Sequence, residues 1–226
     1  MMDDDDRPSR QQISDAVDPA GWRLILGAIY AEVLAPSLAG AAEAASVAVA
    51  AVGAGGQGHL TVDIRADRAV LRLQSADVCC VTGLDIRLAH DVSGALAARG
   101  LRPTPASGSV QALEIAIDAV DIPLVRPFWQ AITGYADEPA SDLNAALIDP
   151  TGRGPAIWFQ QMDAPRPQRN RIHIDVDVPH EAARTRIDAA LTAGGSLLSD
   201  RDAPAFWVLA DPEGNEACIC TWQGRG

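Results

Sequence analysis

A chain of 226 residues with 48% hydrophobic side chains is long enough to build two small cores. Its formal net charge is −12, and every one of its 18 basic residues is Arg. That balance argues against the basic surface that non-specific nucleic-acid or anionic-lipid binding rewards. Cys79-Cys80 and Cys218-x-Cys220 lack zinc-knuckle spacing and read as small buried thiols of a reducing compartment. The acidic start, Met1-Met2-Asp3-Asp4-Asp5-Asp6, is the opposite of a basic leader, and the Ala-dominated run 39–54 reads as too short and weak for a membrane span. The expected setting is the cytoplasm, with neither membrane nor nucleic acid as partner.

Taken in chain order, residues 1–10 form an acidic tail and 11–17 a short helix. Residues 22–34 read as one strand. Ser37 caps a long Ala-rich helix to about Val52, which Gly53–Gly58 breaks. Strands at 60–65 and 69–74 flank a tight turn, and Val70 and Arg72 alternate with Leu71 and Leu73. Thr82 opens a helix with apolar Leu84, Leu88, Val92 and Leu96, ended by Gly100. The stretch 103–109, rich in Pro, Ser and Gly, reads as a linker between a first domain at 11–102 and a second at 110–226. Beyond it the expected elements are a strand at 112–117, a helix at 123–132 closed by Gly134, strands at 144–148 and 156–161, a strand at 171–178, a helix at 181–193 and further strands to Trp222.

The second half repeats itself. Glu114 stands on a strand seven residues before Asp121 and a helix; His173 stands on a strand seven residues before His180 and a helix. Leu147-Ile148-Asp149-Pro150-Thr151-Gly152 is answered by Leu209-Ala210-Asp211-Pro212-Glu213-Gly214. One such unit leaves a half-covered sheet, and two side by side predict a single cupped mixed sheet with a small-molecule pocket in the cup.

Three segments carry a family likeness. Arg126-Pro127-Phe128-Trp129 with the stop Gly134-Tyr135, the strand Asn170-Arg171-Ile172-His173-Ile174-Asp175, and the turn Asp211-Pro212-Glu213-Gly214-Asn215 with Cys218 resemble, in order, the glyoxalase-like members of the vicinal oxygen chelate superfamily. The resemblance covers nearly all of residues 110–224. It implies paired βαβββ modules and a site on the cup floor, where metal-dependent relatives hold a divalent cation on four strand residues. By position it assigns Glu114, His173 and Cys218, with Gln160 or Gln161, to that floor; a carboxylate is usual where Cys218 stands. A divalent metal and a metal-free polar pocket are both open readings. Trp129, Trp158 and Trp207 are candidates for core or pocket wall, and His180 for an exposed surface position.

The first half offers a second likeness. Gly21-Trp22, Gly58-His59-Leu60, Leu71-Arg72-Leu73 and Thr82-Gly83-Leu84-Asp85-Ile86-Arg87-Leu88-Ala89 resemble, in order and spacing, the pterin-4α-carbinolamine dehydratases. The resemblance implies an α/β sandwich, subunit pairing into a homo-oligomer, and acid–base work by clustered histidines, whose side chains exchange protons near neutrality. Of that cluster only His59 and Asp85 remain; Gly58 and Ala76 stand where histidines are expected.

Three functions follow. The cup turns over a carbonyl or aromatic metabolite as a lyase or isomerase, with Glu114 or His173 moving the proton. It sequesters a flat small molecule without turnover. Or His59 and Asp85 support residual 4a-hydroxytetrahydropterin dehydration. The substrate is not legible.

Overall fold

Residues 8–104, 111–139, 146–165 and 172–224 are described by a computed structural model, in which the chain divides into two units, Met1–Ala112 and Leu113–Gly226. Most of the acidic tail, residues 105–109 of the expected linker, residues 144–145 of an expected strand, and Asn170 and Arg171 of the second-repeat strand lie outside the described residues.

In the first unit, helix α1 (Arg10–Val17) precedes strands β1 (Arg23–Ile25) and β2 (Ala28–Leu34), helix α2 (Leu38–Val52), strands β3 (Leu60–Ile64) and β4 (Arg68–Leu73), and helix α3 (Gly83–Ala97). The strands form an antiparallel sheet in the order β1-β2-β4-β3. Alternation decides which face is covered: Ile29, Ala31 and Val33 of β2 join Ala69, Leu71 and Leu73 of β4 in the core. Ala44, Ala45 and Ala48 of α2 and Leu88, Val92 and Leu96 of α3 complete it. Ser37 starts α2 by accepting the Gly40 N–H at 3.2 Å.

Two expectations change here. Residues 22–34 are a hairpin rather than one strand. Ile25 and Ala28 close a two-residue turn in which Leu26 takes φ 58°. A left-handed leucine gives little sequence signal, because this conformation normally selects Gly, Asn or Asp. Helix α2 with its following 3-10 turn, Leu38–Gly56, is also longer than the Ala run suggested. At 19 residues, with a mean hydropathy of 1.5 in its most apolar 18-residue window, it is long and apolar enough to cross a membrane by length and composition. Its inner Ala face packs into the core of this unit.

The second unit carries the repeat. Strand β5 (Glu114–Ala119), helix α4 (Ile122–Thr133) and strands β6 (Ala136–Asp137), β7 (Leu147–Ile148) and β8 (Ala156–Gln161) form the first copy. Strand β9 (Ile174–Asp177), helix α5 (Ala183–Thr192) and strands β10 (Ser196–Ser199), β11 (Phe206–Ala210) and β12 (Glu216–Cys220) form the second. The sheet orders are β5-β8-β7-β6 and β10-β11-β12-β9, so in each copy the first strand runs parallel to the last. Phe128, Trp129 and Ile132 of α4 and Ile187 and Ala190 of α5 share one core with Ile117, Ile157, Leu209 and Ile219.

The expected continuous cupped sheet is instead two four-stranded mixed sheets, with no strand pairing between them among the described residues. Each copy completes its own ladder, so the helices and turns join the copies. Glu213, in the closing turn of the second copy, accepts the N–H groups of Val120 and Asp121 at 2.9 and 2.6 Å, at the start of α4. Its carboxylate thus meets the positive end of that helix.

Candidate functional site

Strand phase sorts the candidate residues. On β5, Ile117 and Ala119 are buried toward the helices, which places Glu114, Ala116 and Asp118 on the opposite face. On β8, Ile157 and Phe159 are buried, which places Trp158 and Gln160 with them; Asp118 is the register partner of Gln160 and Ala116 of Trp158. Gln161 does not share that face. Its amide donates to the carbonyls of Val120 and Met162 at 2.8 and 3.0 Å and closes the strand end. On β12, Ala217 and Ile219 enter the helix-side core, leaving Glu216 and the buried Cys218 and Cys220 on the other face, paired with Asp175 and Asp177 of β9.

A cleft of about 730 Å³ opens between the two first strands. Ile115, Ile117, Trp129, Met162 and Ile172 supply apolar wall, and Asp118, His173 and Glu216 supply polar groups. Trp129 is held rigidly, because its buried indole N–H donates to Asp211 Oδ2 at 3.0 Å and its ring meets Phe128 edge to face. Trp158 is 37% exposed on β8 and lies outside this lining. Trp207 packs against the core on the other face of β11. Glu114 is exposed at the start of β5, also outside the lining. His180 is exposed, near Glu181 and Trp222.

The donor set drawn from the vicinal oxygen chelate family does not come together as expected. His173 and Cys218 do meet, but their third companion is Asp175 and not Glu114 or Gln160. The ligand atoms of His173, Asp175 and Cys218 all lie within 4.8 Å of one another. Asp175 links them: its Oδ1 is 3.3 Å from His173 Nε2, and its carboxylate accepts the Cys218 thiol. Burial first, then this hydrogen bond and the Asp175 charge, push the Cys218 thiol up to about 12. Sequence reasoning passed over Asp175. The signal was present, since His173-x-Asp175 puts both side chains on one strand face, but its pairing with Cys218 depends on register.

The first unit holds a second polar pair. His59, at the foot of β3, lies with Nδ1 2.8 Å from Oδ1 of Asp85. Asp85 is fully buried, and its Oδ2 accepts the N–H and hydroxyl of Thr82, both at 2.7 Å, as the capping box of α3. A carboxylate only accepts, so Nδ1 carries a hydrogen and Nε2 is the nitrogen left to exchange a proton.

Comparison with known proteins bears on the second unit. The family model described as a glyoxalase-like domain matches residues 114–220. A glyoxalase/bleomycin resistance protein/dioxygenase family enzyme from Burkholderia phytofirmans is similar at 22% identity over 48% of this chain and 95% of its own, with a TM-score of 0.40. A glyoxalase-related enzyme from Fulvimarina pelagi is similar at 17% identity over 50% of this chain and 88% of its own, TM-score 0.40. A fosfomycin resistance protein from Listeria monocytogenes is similar at 14% identity over 51% of this chain and 92% of its own, TM-score 0.39. Comparison with curated proteins finds no match. The repeated strand–helix–strands unit and the family match coincide on the second unit: residues 114–220 are similar to a glyoxalase-like domain.

Proposed function

We propose that the glyoxalase-like domain acts on a small molecule held in the cleft between β5 and β9, and that His173 moves a proton on it. The observation that carries this reading is the cleft itself, lined from both copies of the repeat and containing His173. Its volume of about 730 Å³ suits a metabolite-sized ligand. Trp129 and Ile172 in the lining suit a ligand with an apolar or aromatic body. Asp175 beside Nε2 orients the imidazole, which leaves Nδ1 to take a proton from a carbon next to a carbonyl and return it to a neighbouring atom. That is a lyase- or isomerase-type step. The cross-copy metal set of the family is not gathered here, and no step is routed through a metal.

The test is a thermal-shift panel of carbonyl and aromatic compounds on the full chain, followed by solvent deuterium exchange into any stabilising carbonyl ligand. Exchange in the wild type and its loss in His173→Ala supports the reading. Tight binding without exchange points to a sequestering domain, and exchange that survives His173→Ala removes His173 from the chemistry.

A specific observation favours a second reading for the first unit. The buried Asp85 holds His59 in one orientation, the arrangement a general acid–base residue needs. We infer residual dehydration of a 4a-hydroxytetrahydropterin at His59, and pairing of subunits through this unit. His59→Ala should abolish that activity while His173→Ala retains it; equal rates in wild type and His59→Ala would dispose of the idea.

A further inference from the structure

We propose that the cleft recognises a lactam, a ring amide, through the main chain of Ala116. The proposal rests on the cleft reading above and adds the chemical class of the ligand.

Strands β5 and β9 are outer members of the orders β5-β8-β7-β6 and β10-β11-β12-β9, so each has one edge that pairs with no strand among the described residues. Both strands line the cleft. In a parallel ladder one residue turns its N–H and C=O together toward the neighbouring strand, and the next turns both away. The phase on β5 is fixed at its end, where the Ala119 carbonyl accepts the Met162 N–H at 2.9 Å on the β8 side. Ile115, Ile117 and Ala119 thus bond to β8, and Ala116 presents both of its main-chain groups to the free edge. The next strand agrees: the same phase turns Ile157 of β8 away from β5, toward its register partner Leu147 of β7. No described residue bonds the Ala116 N–H or C=O. Its methyl side chain leaves them open to the cleft that it lines.

A ligand that displaces water from this donor and acceptor must supply both partners, because a buried unpaired main-chain group is costly. The two groups lie side by side on one residue, so the ligand needs an acceptor and a donor side by side. A ring holds its amide cis, which puts C=O and N–H on one edge. An open-chain secondary amide is trans and points them to opposite sides. The Ala116 N–H then donates to the lactam carbonyl and the lactam N–H donates to the Ala116 carbonyl, with the ring body against Trp129 and Ile172.

Isothermal titration calorimetry of the full chain with three bicyclic probes of one shape is the experiment: isocarbostyril, its N-methyl derivative, and isocoumarin, in which a ring oxygen replaces the N–H. The expected result is one isocarbostyril per chain, with the other two probes at least about fivefold weaker. Ala116→Pro deletes the donor without taking a bond from the β5–β8 ladder, a position at which an edge strand accepts proline. It should weaken isocarbostyril binding by at least about fivefold. If that variant fails to fold, the three probes on the wild type decide the matter. Equal affinity for the three probes, no binding of isocarbostyril, or wild-type affinity in a folded Ala116→Pro overturns the proposal. The cleft reading is scored separately. It stands wherever a carbonyl or aromatic ligand binds the wild type and not Ala116→Trp, which fills the cleft, whatever the order of the three probes.

Discussion

Asp211 is the residue on which the joining of the two repeat copies most depends, and its removal gives a number that the repeat itself can check. The side chain is buried and accepts four hydrogen bonds: from the N–H groups of Glu213 and Asn215, each at 2.9 Å, from the Asn215 amide at 2.8 Å, and from the Trp129 indole at 3.0 Å. Asp211→Ala orphans a buried indole N–H, at about 1–3 kcal/mol, and two part-buried turn amides at about 0.5–1.5 kcal/mol each. The loss should be about 2–6 kcal/mol, a large share of the ~5–15 kcal/mol that stabilises a typical domain. Asp149 is the control, because it occupies the same turn position in the first copy. It accepts the N–H groups of Thr151, Arg153 and Gly154 at 2.8 to 3.0 Å, but no buried ring. Asp149→Ala should therefore cost about 0.5–1.5 kcal/mol less than Asp211→Ala. Urea unfolding followed by far-ultraviolet circular dichroism measures both, with the change confined to the transition of the second unit. Trp129→Phe completes a double-mutant cycle: it deletes the orphaned donor, so the double variant should lose about 1–3 kcal/mol less than the sum of the singles. Equal costs for the two aspartates, or additive behaviour in the cycle, would refute the claim that the closing turn pins α4 through the indole.

Three more outcomes follow from the same residues. Cys218, with its thiol pushed up to about 12, stays protonated through pH 9, so iodoacetamide should label the part-exposed Cys79 there and leave Cys218 unmodified; comparable labelling of both by peptide mass spectrometry contradicts the assignment. Burial raises the Asp149 carboxyl, but the N–H groups of Thr151 and Gly154 and the Thr151 hydroxyl outweigh it and hold the group below its ordinary range. Its contribution is thus present above the unfolded carboxylate range and lost as pH falls through the folded value, so Asp149→Asn should flatten the acid loss of urea midpoint. An unchanged acid profile counts against this. A methyl group on Gly195 would sit 2.3 Å from the buried Phe128 ring and 2.9 Å from the Ala190 carbonyl, so Gly195→Ala should destabilise the second unit by about 1–3 kcal/mol or more; a melting temperature equal to wild type would mean the ring yields freely.

The repeat was legible because its signals are local. An Asp-Pro-x-Gly turn is written in four consecutive residues, and Asp149 and Asp211 both fold as such turns. The helix caps at Ser37, Thr82 and Asp121 are local in the same way. Features set by pairing were not legible. The Leu26-Gly27 turn hides a hairpin inside an apolar run, because leucine at φ 58° is held by the closing strands and not by its own preference. The choice between Gln160 and Gln161, and the core-facing Trp207, depend on strand phase, which a shift of one residue reverses. The β6 strand has two residues and no periodicity to read. The site divides the same way: His173 stands out on its own strand, whereas the meeting of Asp175 with Cys218 exists only in the register of β9 against β12.

The central claim is that the cleft between β5 and β9 holds a small molecule, and native mass spectrometry of the gently purified full chain tests it most directly. Ala116 lines the cleft, so Ala116→Trp fills it while the His173 side chain is kept. The wild type should retain an added mass from a co-purifying compound, or gain one from a stabilising carbonyl or aromatic ligand, and Ala116→Trp should lose it. A ligand that binds both proteins equally would place the binding elsewhere and contradict the account.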